Sequence, residues 1–492
     1  MKIFHNASFW HDSTFDNEIK AILTDGGKIL KLLTALPEAT QDYDFVDLKG
    51  NYVYPGFIDT HTHSFEGGLY SLMIDLGGAR SLQDVFDLIA EGKRDKGKFI
   101  FAWNFDELKI AEGRFPTRAE LDSIVSDKNL VLRRIDGHSC LINSFACANI
   151  LSQTGNILSA DEVFRGFDND RAVHWFHNNI EPELILKAYH AASQIALMGG
   201  FSTIHTMVGD ANMSIGHYSL LQEHLADFGV DFVLYPQSFN IEAALEVGAQ
   251  RIGGCILADG SLGSYSAALY EPYRGHSING NLYQTDAYWY DFITRAHQNN
   301  LQVGVHCIGD RAITQINNVY MALANSDFKD LRHQLIHCEL TDDALINHIK
   351  ASAAVPVMQP MFDRLWGGES GFYAKVLGQE RAKHMNRFAT MLSRGIKITG
   401  SSDWYITELN IVASLAAAMN HHNPAEALTA AQAIDIYTKN AAWLSHDEDV
   451  KGQLLPDMMA DFTVMNYDLK KPGADNKVVA TIKAGKLLYG NL

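Results

Sequence analysis

Two histidines, His61 and His63, stand one residue apart at the end of an apolar run, PGFIDTHTH, residues 55–63. Alternate residues of a strand point to the same side, so the two imidazoles can converge on one ion. In a chain with 21 histidines such a pair is weak evidence by itself. Other strand-like runs end in the same chemistry: His306 closes QVGVHCIG, His337 closes HQLIHCE and Asp403 closes IKITGSSD. Imidazole nitrogens and a carboxylate oxygen suit a divalent ion of the zinc kind, borderline in softness and content with N and O donors. Suitable ligands at four separate strand ends predict a metal centre rather than scattered polar residues where strands meet solvent.

Ligands on separate strand ends need a fold that gathers those ends. Eight apolar runs qualify as strands: GFIDTHTH (56–63), FSTIHTM (201–207), DFVLYPQ (231–237), GCILADG (254–260), QVGVHCIG (302–309), HQLIHCE (333–339), AAVPVMQ (353–359) and IKITGSSD (396–403). Amphipathic stretches such as YDFITRAHQNN and DALINHIKAS lie between the later ones. Eight βα-type units predict an α/β protein with a (β/α)8 barrel of the TIM type, which keeps its chemistry at the C-terminal strand ends. The barrel spans 55–445. The first gap, 64–200, is too long for one crossover and holds two more strand-like runs, FIFAWNF (99–105) and NLVLRRID (129–136). It reads as an insertion after the first strand, on the substrate side of the barrel mouth. Residues 1–54 and 446–492 read as short strands with turns, which predicts one small β domain built from both termini.

Composition sets outer limits. The chain has 492 residues, enough for one large domain and a smaller unit. A formal net charge of −18 argues against nucleic acid and against an anionic membrane surface as partners. The start, MKIFHNASFW, shows no apolar signal segment, and no apolar stretch is long enough to span a bilayer. The five cysteines are odd in number and form no CxxC pair, so neither a disulfide framework nor a zinc ribbon is indicated. A reduced, cytoplasmic protein acting on a small molecule is expected. A homo-oligomer is compatible with this size.

The stretches PGFIDTHTH, WNFDELKIAEGRFPTRAELD, LRRIDGHSCLINS, LADGSLGSYSAALYEPY, HCIGDRA, IHCEL, MQP, GSSD and KGQLLPDMMADFTVMN run from about residue 50 to 470. Together they resemble the amidohydrolase superfamily, and within it amidohydrolase family 3, the group that includes N-substituted formamide deformylases. The resemblance implies a metal-bearing (β/α)8 barrel with a composite β-sandwich from both termini, and one or two divalent ions per chain. By position it implies His61 and His63 as first-strand ligands, His306 and His337 as ligands on strands five and six, and Asp403 on strand eight. On strand four many members carry a lysine, where this chain has Cys255 in GGCILADGS. A thiolate there can bind or bridge zinc; the alternative is a small buried thiol on a packed strand. His205, on the second strand, is read as a packed histidine rather than an extra ligand.

The resemblance further implies hydrolysis of a non-peptide C–N bond in a small amide, N-acyl or N-formyl compound by attack of a metal-bound hydroxide. Asp403 is the expected general base, passing the proton on to the leaving nitrogen. His337 is expected to assist by hydrogen bonding to the water or the carbonyl if one ion binds. Substrate contacts are expected from Trp103, Asn104 and Asp106 in AWNFDE, from Asp136, Gly137 and His138 in RIDGHS, and from Gln359 at the end of strand seven. Gly260 and Gly263 allow close backbone approach to a ligand. Asp310 and Arg311 are expected to pair at a helix start, Tyr273 to pack, and Arg133, Arg134 and Arg274 to be solvated or paired. Two competing functions remain: deamination of a cyclic amidine or heteroaromatic amine, and a noncatalytic binding or regulatory role on the same scaffold.

Overall fold

The computed structural model describes residues 1–38, 42–93, 97–135, 139–154, 162–209, 214–326, 328–469 and 475–492. It is a mixed α/β fold. The strands Phe57–Thr62, Phe201–Val208, Gln302–Cys307, Gln334–His337 and Val355–Met358 are buried along their whole length. Parallel strands covered on both faces read as continuous apolar runs in this way.

Eight parallel strands fall into two sheets. One has the order Asp231–Pro236, Phe201–Val208, Phe57–Thr62; the other runs Arg251–Leu257, Gln302–Cys307, Gln334–His337, Val355–Met358, Thr399–Gly400. Side chains and one bridge join the two sheets at the first and last strands. Thr60 Oγ1 donates to the Gly400 carbonyl at 3.0 Å and lies 2.9 Å from Thr399 Oγ1. Thr62 and Trp404 form a parallel bridge. The last strand is much shorter than the run IKITGSSD predicts. It ends at Gly400 because Ser402 N turns to the Asp59 carboxylate and Asp403 adopts a φ of 54°.

Amphipathic helices cover these strands. Asp286–Gln298 buries Trp289, Phe292, Ile293 and Ala296, and Thr285 caps it by accepting from Tyr288 N. Asp343–Ser352 is capped by Asp342, which accepts from Leu345 N. Each buried Phe or Ile contributes about 1.5–3 kcal/mol. Among the described residues no helix is long and apolar enough to cross a membrane.

The two ends of the chain share an eight-stranded sheet. Asp44–Pro55 pairs in parallel with Lys2–His11 and antiparallel with Phe462–Met465, which leads on to Val478–Lys483 and Lys486–Gly490. Phe4, Phe9, Ile22, Val53, Phe462 and Ile482 form its core. The chain divides into two compact units, Met1–Ser64 with Ser193–Leu492, and Phe65–Ala192. The second unit has its own five-stranded sheet, in the order Val163–Arg165, Ser139–Ile142, Asn129–Arg134, Phe99–Phe105, Ile74–Asp75.

One local feature aims the side chain of Cys255. In Arg251–Leu257 the register against its neighbour shifts between Gly253 and Ile256. Gly253 and Gly254 have φ of +85° and +78°, and a Cβ on Gly254 would stand 2.1 Å from Met207 Sδ. This irregularity, open only to glycine, re-aims the following residue, Cys255. Gly254→Ala should therefore cost about 1–3 kcal/mol from overpacking alone. Urea unfolding would show this as a lower midpoint with an unchanged slope; an unchanged midpoint would mean the strand adapts without strain.

Candidate metal centre

The strand ends bring most of the predicted ligands together. His61 Nε2 lies 3.2 Å and His63 Nε2 3.4 Å from Asp403 Oδ1. The backbone locks this pairing, because Asp403 N donates to the His61 carbonyl at 3.1 Å. His61, His63 and Asp403 each offer a ligand atom within 4.8 Å of the others, and so do His61, Cys255 and His337. His306 stands beside these two groups. Its ring centroid is 4.6 Å from that of His337, and its Nε2 lies 3.2 Å from the Gly260 carbonyl and 3.6 Å from Asp259 Oδ1.

The electrostatics follow from putting two anions among imidazoles. Burial opposes ionisation of Cys255, yet the imidazoles of His306, His337, His61 and His63 hold its thiol well below the ordinary value. Burial likewise opposes ionisation of Asp403, yet His61 and His63 hold it far below the usual carboxylate range. Against burial, Asp403 and Cys255 raise His63 well above its ordinary value, while Cys255 and Asp259 raise His306 to about 9. Burial lowers His337, and the neighbouring His306 adds to that.

The donor set fits a divalent ion. The contact between His61 and Asp403 lacks hydrogen-bond geometry, and among the described residues His61 Nδ1 and Nε2 and Asp403 Oδ1 are buried with no hydrogen-bond partner. A buried polar atom without a partner costs about 1–3 kcal/mol. Converging nitrogen, sulfur and oxygen donors are the ligands zinc-like ions take.

A supporting layer escaped the sequence reading. Asp59 accepts from His61 N at 3.1 Å and from Ser402 N at 2.9 Å, so one carboxylate ties the first strand to the segment carrying Asp403. Burial pushes Asp59 up to about 7. Its signal was present, since Asp59, His61 and His63 alternate in DTHTH. Asp259 accepts from Ala268, Ile308 and Gly309 backbone N–H groups, and burial pushes it up to about 6. Glu339 is buried, accepts from the Tyr373 hydroxyl at 2.7 Å, and is pushed up to about 7 by burial. His337, Cys338 and Asp403 all have positive φ, at 69°, 48° and 54°. Such strain is typical of residues held in place for function.

Other expectations meet different outcomes. His205 is fully buried, stacks on Tyr235 with its Nδ1 3.3 Å from the tyrosine hydroxyl, and belongs to neither ligand group. Gln359, expected to face substrate, is 1% exposed and spends both ends of its amide inside the protein, on His337 and on Ser401. Trp103 stacks on Tyr70 at 5.6 Å, Asn104 donates to Asp75, and Asp106 caps the Glu107–Lys109 turn; all three belong to the second unit. Asp136, Gly137 and His138 lie outside the described residues. Gly260 makes room for protein rather than ligand, since a Cβ there would stand 2.0 Å from Ser266 Oγ. Asp310 does not pair with the Arg311 side chain among the described residues; it accepts from the Tyr270 and Arg311 backbone N–H groups. Tyr273 packs as expected, Arg134 pairs with Glu107, Arg133 donates to the Tyr70 hydroxyl and Arg274 to the Ala374 carbonyl.

A mixed α/β fold with possible ligands gathered at the ends of parallel strands offers a candidate site for a divalent ion. The fold resembles an uncharacterized metal-dependent hydrolase from Pyrococcus furiosus, with a TM-score of 0.80, 24% identity, and coverage of 96% of this chain and 100% of that one. The model of the Amidohydrolase family matches residues 44–179 and 240–489, and the chain belongs to that family. Amidohydrolase YtcJ of Bacillus subtilis (strain 168) is 27% identical over 477 residues, covering 86% of this chain and 85% of its own. The N-substituted formamide deformylase of Arthrobacter pascens is 22% identical over 509 residues, covering 91% and 90%.

The setting of Cys255 is open to direct measurement. In metal-stripped protein, thiolate absorption in the ultraviolet should persist at neutral pH and vanish in Cys255→Ser. A thiolate signal that rises only near pH 8.5, the free cysteine value, would contradict this electrostatic account.

Proposed function

We propose that this chain hydrolyses a non-peptide C–N bond of a small amide, N-acyl or N-formyl compound, with one or two zinc-like ions bound at the centre described above. The convergence of His61, His63, Asp403, Cys255 and His337, with buried donor atoms left unpaired, carries this reading. His61, His63 and Asp403 form one group that would hold an ion, and His61, Cys255 and His337 another, with His306 beside them. The bridge between Thr62 and Trp404 supports closure of the eight parallel strands into a (β/α)8 barrel. The shared sheet of the termini supports a composite β-sandwich beside it. The name of the Arthrobacter pascens relative supports including N-formyl compounds among the substrates.

A divalent ion at such a site polarises a carbonyl and brings the pKa of water from 15.7 to about 7. The chain's own part is positioning and proton transfer. Asp403, beside His61 and His63, would take the proton of the attacking water on its carboxylate and pass it to the leaving nitrogen, since an amine departs only when protonated. His337 would help hold the ion beside Cys255 and His61.

The test is a panel of N-formyl, N-acyl and simple amide substrates, scored for carboxylate and amine release, beside heteroaromatic amines scored for ammonia. Asp403→Asn should lower kcat by about 10²- to 10⁴-fold on the amide substrates. Ammonia release from the heteroaromatic amines alone would replace this reading with deamination.

A further inference from the structure

Gln359 occupies the N-cap position of the helix Pro360–Trp366, but its side chain makes no cap hydrogen bond. Its backbone is extended, with φ −114° and ψ 96°, outside the helical region that the following proline disfavours. The side chain is thereby free to reach across the neighbouring strand ends. Its Nε2 lies 3.3 Å from the Val357 carbonyl and 2.9 Å from Ser401 Oγ, and Ser401 Oγ donates to the Met358 carbonyl at 3.2 Å. Its Oε1 lies 2.9 Å from His337 Nδ1.

The chemistry of these partners settles which atom is which. The Val357 carbonyl can only accept, so the NH₂ end of the amide faces it. The oxygen end must then face His337, and an amide oxygen also only accepts. His337 Nδ1 therefore carries a proton. In the neutral ring Nε2 then holds the lone pair, and it is the one nitrogen left to bind an ion. Phe362 lies nearly parallel to the His337 ring, 13° off and 5.8 Å between centroids, and covers one of its faces.

Resting on the metal reading above, we infer that Gln359, itself held by Ser401, is the positioning residue that fixes His337 in the Nδ1–H tautomer with Nε2 presented to the metal. It acts through His337 and does not touch the reacting atoms. A glutamine suits this role because it accepts the Nδ1 proton without adding a charge to a site that already holds Cys255 and Asp403. Partners of this kind fix ring orientation and tautomer of metal-binding histidines.

The experiment compares zinc affinity of metal-stripped wild type, Gln359→Leu, Gln359→Glu and Ser401→Ala by competition with a chelating dye. Cobalt(II) spectra and thermal melting are recorded on the same samples. Gln359→Leu keeps the bulk but removes the acceptor, and should weaken zinc binding by about 10- to 100-fold. Gln359→Glu restores an acceptor for Nδ1–H and should recover part of that loss. Ser401→Ala should weaken binding less, in the same direction, and keeps the idea testable if Gln359→Leu does not fold. A role in packing alone predicts the reverse order, with leucine tolerated and glutamate worst; that order, or unchanged affinity in Gln359→Leu and Ser401→Ala, overturns the proposal alone. A wild type that binds no zinc overturns the metal reading together with it.

Discussion

Four imidazoles converge on one buried thiol at the heart of this molecule, and a carboxylate bridges two of them from the other side. Burying so many polar groups is costly unless charge and hydrogen bonding compensate. The imidazoles compensate the Cys255 thiolate and the Asp403 carboxylate, and a divalent ion would satisfy the donor atoms that have no partner among the described residues. The ends of four strands, and of the segment past Gly400, must meet at one point for this to happen.

The strand ends are held there by buried polar groups acting between strands. Asp59 reaches from the first strand to Ser402, Asp259 gathers three backbone N–H groups from two loops, and Gln359 links Ser401 to His337. Each ties neighbouring chain segments by short, directional bonds in a dry environment, where such bonds are strong and their loss costly. Where the route to the right geometry needs unusual backbone, the chain spends glycine. Gly253 and Gly254 let strand four shift register and aim Cys255, in space already filled by Met207 and the Gly304 carbonyl.

Cys255 also bears on the chemistry. A thiolate at this position would be a soft donor, and softness favours zinc-like ions over magnesium or calcium. The oxygen and nitrogen donors of His61, His63 and Asp403 leave the other side of the centre harder.

Much of this was legible in the chain itself. The alternation in DTHTH put His61 and His63 on one face, and the apolar runs ending at His306, His337 and Asp403 marked strand ends, because both signals arise from local periodicity. Eight such runs announced the parallel α/β architecture for the same reason. What only the tertiary structure decided are matters of partnership across the chain. Gln359 read as a pocket residue because its position at a strand end is local, whereas its bond to His337 depends on two strands lying side by side. The last strand covers only Thr399 and Gly400 of IKITGSSD because a carboxylate from the first strand takes up the Ser402 backbone N–H that follows. Cys255 could be packing or ligand by sequence; its ionisation depends on four histidines separated from it by tens to hundreds of residues. Sequence periodicity tells which way a side chain points along its own strand, and only folding tells what it meets there.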